Sequence, residues 1–137
     1  MSACILDCSA ALCWILPDEG DVATDTLLDR VAEAGALVPA LWPFEVANVL
    51  LMAERRTRIT PAERRQALTL LGDLPVRIDP PSRERVWTET LVLAQAHRLT
   101  AYDASYLELA IRHELPLATR DAALRVAAES CGVALSI

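Results

Sequence analysis

Short apolar runs alternate with longer amphipathic stretches along this chain, and the two patterns predict different elements. The runs at Ala3–Leu6, Leu37–Val38, Val76–Ile78, Leu117–Ala118 and Val133–Leu135 read as strands. They are continuously apolar, as expected of parallel strands covered on both faces rather than strands with one wet face. The stretches between them read as helices, and several boundaries carry start or stop signals. Thr60-Pro61-Ala62-Glu63 is a capping box with proline at the first helical position, which predicts a helix running toward Leu71. Ser9 is placed to cap a helix through Trp14 and Leu16, Pro80-Pro81-Ser82 precedes a helix toward His97, and Thr100-Ala101-Tyr102-Asp103 repeats the capping pattern. Gly35 and Gly132 fall where helices should end before strands. This βα alternation predicts one α/β domain over residues 1–137, with five parallel strands covered by helices on both faces.

Composition narrows the chemistry. A chain of 137 residues with 53% hydrophobic content can bury one core. It has no apolar run of the roughly 18 residues a membrane span needs and no basic leader before its first strand, so a soluble cytoplasmic protein is expected. The four cysteines, Cys4, Cys8, Cys13 and Cys131, form no Cys-x-x-Cys pair and read as small buried hydrophobes. Neither His97 nor His113 stands at zinc-ligand spacing from any of them. All 13 basic residues are arginine. The absence of lysine excludes a Walker A loop and Schiff-base chemistry. The four glycines build no phosphate cradle, dinucleotide fingerprint or nucleophile elbow. A net charge of -6 argues against wrapping duplex DNA by bulk charge. The arginines nevertheless cluster at Arg55, Arg56, Arg58, Arg64 and Arg65, as candidates for contact with an RNA backbone.

The acidic residues divide into two kinds. Asp18, Glu19, Asp21, Asp25, Asp29 and Glu33 share one polar stretch that reads as a solvated helix face. Asp7, Glu45, Asp103 and Asp121 instead sit in apolar surroundings, where carboxylates are rarely found unless paired or metal-bound. Asp7 and Asp121 follow strands directly, and the caps put Glu45 and Asp103 in the first turns of helices. All four therefore face the carboxyl edge of the sheet, where open parallel sheets bind ligands. For Asp103 and Asp121 the simpler reading is a helix-start acid favoured by the N-terminal dipole. Glu45 has one polar companion on its helix, Asn48, one turn on. Four carboxylates in one cleft repel one another unless a cation compensates them. Oxygen-only ligation points to a hard ion, Mg²⁺ or Mn²⁺, and such a site serves phosphodiester hydrolysis well.

The stretches Ile5-Leu6-Asp7-Cys8-Ser9, Trp42-Pro43-Phe44-Glu45-Val46-Ala47-Asn48, Leu99-Thr100-Ala101-Tyr102-Asp103-Ala104-Ser105 and Pro116-Leu117-Ala118-Thr119-Arg120-Asp121 resemble, in order and separation, the four acidic motifs of PIN-domain ribonucleases. In size and spacing the chain is most similar to the VapC toxins of bacterial toxin-antitoxin pairs. The resemblance implies a three-layer α/β/α sandwich with a central five-stranded parallel sheet and a Mg²⁺-dependent endoribonuclease. It also implies frequent homodimerisation and inhibition by a cognate antitoxin, while the lack of an apolar run long enough to span predicts no membrane partner. Asp7, Glu45, Asp103 and Asp121 match the acidic quartet, the fourth position being the variable one. Ser9 and Thr119 match small hydroxyls that assist the metal shell, and Asn48 matches a polar neighbour of the second acid. Two other readings fit the same residues: a catalytically silent module whose acidic groove binds an arginine-bearing partner, and a Mg²⁺-dependent phosphatase with a closed pocket for small esters.

Overall fold

The computed structural model describes all residues from Met1 to Ile137. The elements run β1 (Cys4–Leu6), α1 (Cys8–Ala11) with a 3₁₀ turn over Leu12–Trp14, α2 (Val22–Ala34), β2 (Ala36–Val38), α3 (Trp42–Arg55) and α4 (Pro61–Asp73). They continue with β3 (Val76–Ile78), α5 (Arg83–Arg85), a π-helical turn over Val86–Thr90, α6 (Leu91–His97), α7 (Ala101–His113), β4 (Leu117–Ala118) and α8 (Ala122–Ser130). The strands form a parallel sheet in the order β3-β2-β1-β4. Every residue of β1, β2 and β4 is buried. Because successive side chains point to opposite faces, helices must cover both sides of the sheet. Only β3, at the edge, exposes Arg77 and Ile78.

The sheet has four strands rather than the five expected from the sequence and from the family resemblance. The segment Val133–Leu135 does reach the β4 edge, where Leu117 donates to the Val133 carbonyl at 2.6 Å and Leu135 donates to the Leu117 carbonyl at 3.0 Å. Its pairing stops at the single bridge Leu117–Ala134. A two-residue β4 has only the backbone groups of Leu117 to offer on that side, so no ladder can extend.

Local signals act largely as the sequence predicts. Thr60 accepts from the Glu63 N–H while the Glu63 carboxylate accepts from the Thr60 N–H, which completes the capping box of α4. Gly35 ends α2 at φ +84°, and a Cβ there would lie 2.6 Å from the Pro75 carbonyl oxygen, so β2 could not enter the sheet beside β3 with a larger residue at this turn. Ser9 behaves differently from expectation. The cap position of α1 belongs to Asp7, and Ser9 lies inside the helix with its hydroxyl turned back toward the Asp7 carboxylate.

One cluster of 29 buried side chains forms the core, with Ile5, Leu37 and Leu117 from the sheet and Leu27, Leu50, Leu107 and Leu124 from the helices. Cys4, Cys8 and Cys13 are buried and unpaired. Burial pushes the Cys4 and Cys8 thiols up to about 12, so they stay protonated and pack as hydrophobes. Of the tryptophans, Trp42 is buried, Trp14 donates its Nε1–H to the Thr24 carbonyl, and Trp87 is exposed beneath the Arg83 guanidinium. No helix is long and apolar enough to cross a membrane.

Candidate active site

Parallel pairing carries β1 one residue past its end, since the Asp7 N–H donates to the Ala118 carbonyl at 3.0 Å. This fixes Asp7 beside the residues that leave β4. Its side chain is only 5% exposed, and its Oδ2 accepts from both Ser9 Oγ and Thr119 Oγ1 at 2.7 Å. The connection from β4 to α8 is held by the same hydroxyls. Ser9 Oγ accepts from the Arg120 N–H at 2.8 Å, and Thr119 Oγ1 accepts from the Asp121 N–H at 3.0 Å. Ser9 and Thr119, expected to assist a metal shell, thus orient the first acid and tie it to the fourth.

Glu45 stands in the first turn of α3, and Tyr106 donates its hydroxyl to Glu45 Oε1 at 2.5 Å. Tyr106 is fully buried in α7, one helical turn beyond Asp103. Thr100 caps α7 by accepting from the Asp103 N–H at 3.1 Å. The Asp103 carboxylate makes no return bond to the cap, which leaves it free at the site. Asp121 caps α8 by accepting from the Leu124 N–H at 2.9 Å, so the helix-start role does describe one of its oxygens.

The carboxylates feel one another. Burial pushes the Asp7 carboxyl above its ordinary value, against the Ser9, Thr119 and Cys8 hydrogen bonds, and the Asp121 charge adds to the rise. Glu45 is raised by burial and by Asp7 and Asp103, with the Tyr106 hydrogen bond opposing. Asp103 is raised by burial and then by Asp121 and Asp7. None of the molecule's ion pairs involves any of the four. The protein therefore gathers acids at this edge without supplying a counter-charge. As placed, no three of its histidine, cysteine, aspartate and glutamate side chains converge closely enough to hold an ion. Glu45 accepts instead from Tyr106, and Asp121 from the first turn of its helix. In donor chemistry, an all-carboxylate set without internal compensation fits a hard divalent cation.

Other candidates land elsewhere. Asn48 is exposed and its side chain makes no hydrogen bond, so the polar partner of Glu45 is Tyr106 and not Asn48. The spacing of Tyr106 from Asp103, three residues on one helix face, was the available signal for it. Arg55, Arg56, Arg58, Arg64 and Arg65 lie at the end of α3 and the start of α4, with Arg55 about 15 Å along the helix axis from Glu45 at about 1.5 Å per residue. Arg58 pairs with Glu19 and Arg64 with Glu54, while Arg55, Arg56 and Arg65 are exposed and unpaired. Asp21 belongs to the acidic stretch read as a solvated face, yet it caps α2 and both of its oxygens accept from Arg120 Nη2, at 2.9 and 2.8 Å. His97 comes within 3.5 Å of Cys131, a contact that sequence spacing hides, but no third ligand joins them.

The profile of the PIN domain family matches residues 4–130. PIN domains are generally nucleases that typically use divalent metal ions. Among solved structures, the crystal structure of PAE2754 from Pyrobaculum aerophilum is similar, with a TM-score of 0.68 and 27% identity over 90% of this chain and 77% of that one. No curated protein matches the chain.

Proposed function

Because this chain belongs to the PIN domain family, we propose that it is a metal-dependent endoribonuclease of the VapC toxin type, restrained in the cell by a cognate antitoxin and working as a homodimer. The observation that supports this reading most is the quartet itself: four carboxylates at one sheet edge, three of them raised in pKa, and none neutralised by an arginine. Structural carboxylates in half-buried sites carry partners, as Asp79 does elsewhere in this molecule.

Asp7 and Asp103 would hold the principal Mg²⁺ or Mn²⁺, with Asp121 completing the shell. A divalent ion bound there supplies Lewis acidity, which lowers the pKa of water and offsets charge on the phosphate and the leaving oxygen. The chain's own contributions follow from its contacts. Ser9 and Thr119 fix the Asp7 carboxylate in one orientation. Glu45, raised in pKa and oriented by Tyr106, is suited to orient the attacking water and take its proton. Asp121 can lend its charge while its cap to α8 keeps the backbone in place.

The test is cleavage of a mixed cellular RNA pool by purified protein with Mg²⁺, Mn²⁺ or EDTA, beside Asp7→Asn. Discrete products that require the metal and vanish in the variant are expected, and sequencing the cut ends would identify the target. Folded, antitoxin-free protein that cuts nothing under either metal would leave the arginine-binding module as the better reading.

A further inference from the structure

On the other flank of α7 a cleft of about 300 Å³ opens between the segments leaving β2 and β3. Leu41, Pro80, Pro81 and Val86 make its sides apolar, and Tyr102, 67% exposed, stands among the residues that line it. It lies next to the acids: Tyr102 and Ser105 flank Asp103 in sequence, and Leu41 precedes Glu45 by one helical turn.

Its charged lining is uneven. Arg112 is saturated, with Nη1 and Nη2 on Asp79 at 3.3 and 2.7 Å and Nε on Glu108 at 2.8 Å. Arg85 is held only by charge, its Nε 3.4 Å from Glu108 and its Nη1 3.8 Å from Asp79, and no N–H of its guanidinium makes a hydrogen bond. The side chain is nonetheless 31% exposed, so a guanidinium with ion-pair neighbours but no hydrogen-bond partner lines a recess whose uncharged walls are mostly apolar.

The shape and the donors select the ligand. A phosphate is disfavoured because Asp79 and Glu108 stand beside Arg85 and cancel its charge with that of Arg112. An aliphatic side chain would cover the Arg85 donors without satisfying them. A nucleobase has a flat apolar body for the proline and valine walls, a face for Tyr102, and acceptors on its edge for the fork. Arginine pairs in this way most often with the O6 and N7 acceptors of guanine. We infer that this cleft takes one unpaired base, preferably guanine, of the RNA strand whose phosphate lies at the acidic quartet. This rests on the nuclease reading, and a base held in a duplex could not enter the cleft.

Binding separates the two readings, because it does not need cleavage. The probe is a short unstructured oligouridine RNA carrying one guanosine, compared with the same RNA carrying adenosine, cytidine or an abasic unit at that position. Affinity is measured by fluorescence anisotropy against full-length Glu45→Gln protein in Mg²⁺, which removes the group that takes the proton and keeps the carboxylates that would hold the ion. The guanosine RNA should bind on the order of 10-fold or more tighter than the abasic one. Arg85→Lys, which keeps the charge against Asp79 and Glu108 but loses the fork, should erase the preference for guanosine over adenosine and cytidine, and Tyr102→Ala should reduce the gap between guanosine and the abasic unit. Equal binding of all four RNAs, no binding of any, or a guanosine preference that survives Arg85→Lys would each overturn the assignment. If the base preference appears but the unsubstituted protein cuts no RNA, the nuclease reading fails and the cleft stands.

Discussion

Two groups of carboxylates border α7, and the chain treats them in opposite ways. Asp79 and Glu108 are gripped by Arg112 and attended by Arg85, with His113 Nε2 3.6 Å from Asp79. Burial works to raise the Asp79 carboxyl, but the Arg112 hydrogen bond and the charges of Arg112, Arg85 and His113 hold it below its ordinary value. Asp7, Glu45 and Asp103 have no such counter-charge and are raised by burial and by neighbouring carboxylates of the quartet, Asp121 among them. The first group stabilises the fold, joining the end of β3 to α7. The second costs stability in the absence of a cation. A protein with 13 arginines places none of them in an ion pair with this quartet.

The contrast can be broken most severely at the quartet. Asp7→Asn or Asp103→Asn should lower RNA cleavage by at least about 100-fold in single-turnover kinetics, the scale expected when an electrostatic element of a reaction centre is removed. In the same proteins Mg²⁺ should no longer raise the melting temperature. Retained activity in both variants would exclude the metal reading.

Breaking the paired group should act on the fold instead. Arg112→Ala leaves Asp79 and the buried Glu108 without their main partner and should lower stability in urea by about 2–3 kcal/mol. Cleavage per folded molecule should change far less than in the quartet variants. A loss below about 0.5 kcal/mol would mean that the network is a solvated surface feature.

The sign of the pH response sharpens the comparison. A carboxyl whose folded pKa is raised keeps its proton longer in the folded chain than in the unfolded one. Its contribution is therefore fully present below the ordinary carboxylate range and is lost as pH rises through the raised value. Removing the Asp7 charge should then raise the melting temperature of metal-free protein by a few degrees at neutral pH and by less in mild acid, even as it abolishes activity. Asp79→Asn should do the reverse, destabilising at neutral pH, because its lowered pKa stabilises the folded state above the ordinary carboxylate range. Melting curves at two pH values decide both.

The smallest effect is expected at Tyr106→Phe. Its hydroxyl lowers the Glu45 pKa, so without it the acid limb of the pH–rate profile should move to higher pH, while stability falls by about 1 kcal/mol. An unmoved limb would show that Glu45 does not titrate in the reaction.

Much of this arrangement was legible beforehand. The strand runs, the Thr60 box, the Gly35 turn and the setting of the four acids are local patterns, and local patterns survive folding. The fifth strand was not legible, because its extent depends on how many backbone groups a two-residue neighbour leaves free. Ser9 read as a cap because hydroxyls favour helix starts, but the nearby carboxylate competed for it. Asn48 shared a helix face with Glu45 in the pattern, yet that position turned out exposed. Arg120 with Asp21, Arg112 with Asp79 and Tyr106 with Glu45 join residues 99, 33 and 61 positions apart. No periodicity encodes such pairs.

By itself, then, the sequence determined which carboxylates stand at strand ends and helix starts and which edge of the sheet they face, since burial periodicity and capping are properties of neighbours along the chain. Only the tertiary structure decided which carboxylates receive an arginine and which are left to one another. Charges interact through space across elements distant in sequence, and a single side chain such as Arg112 can settle the balance for two acids at once.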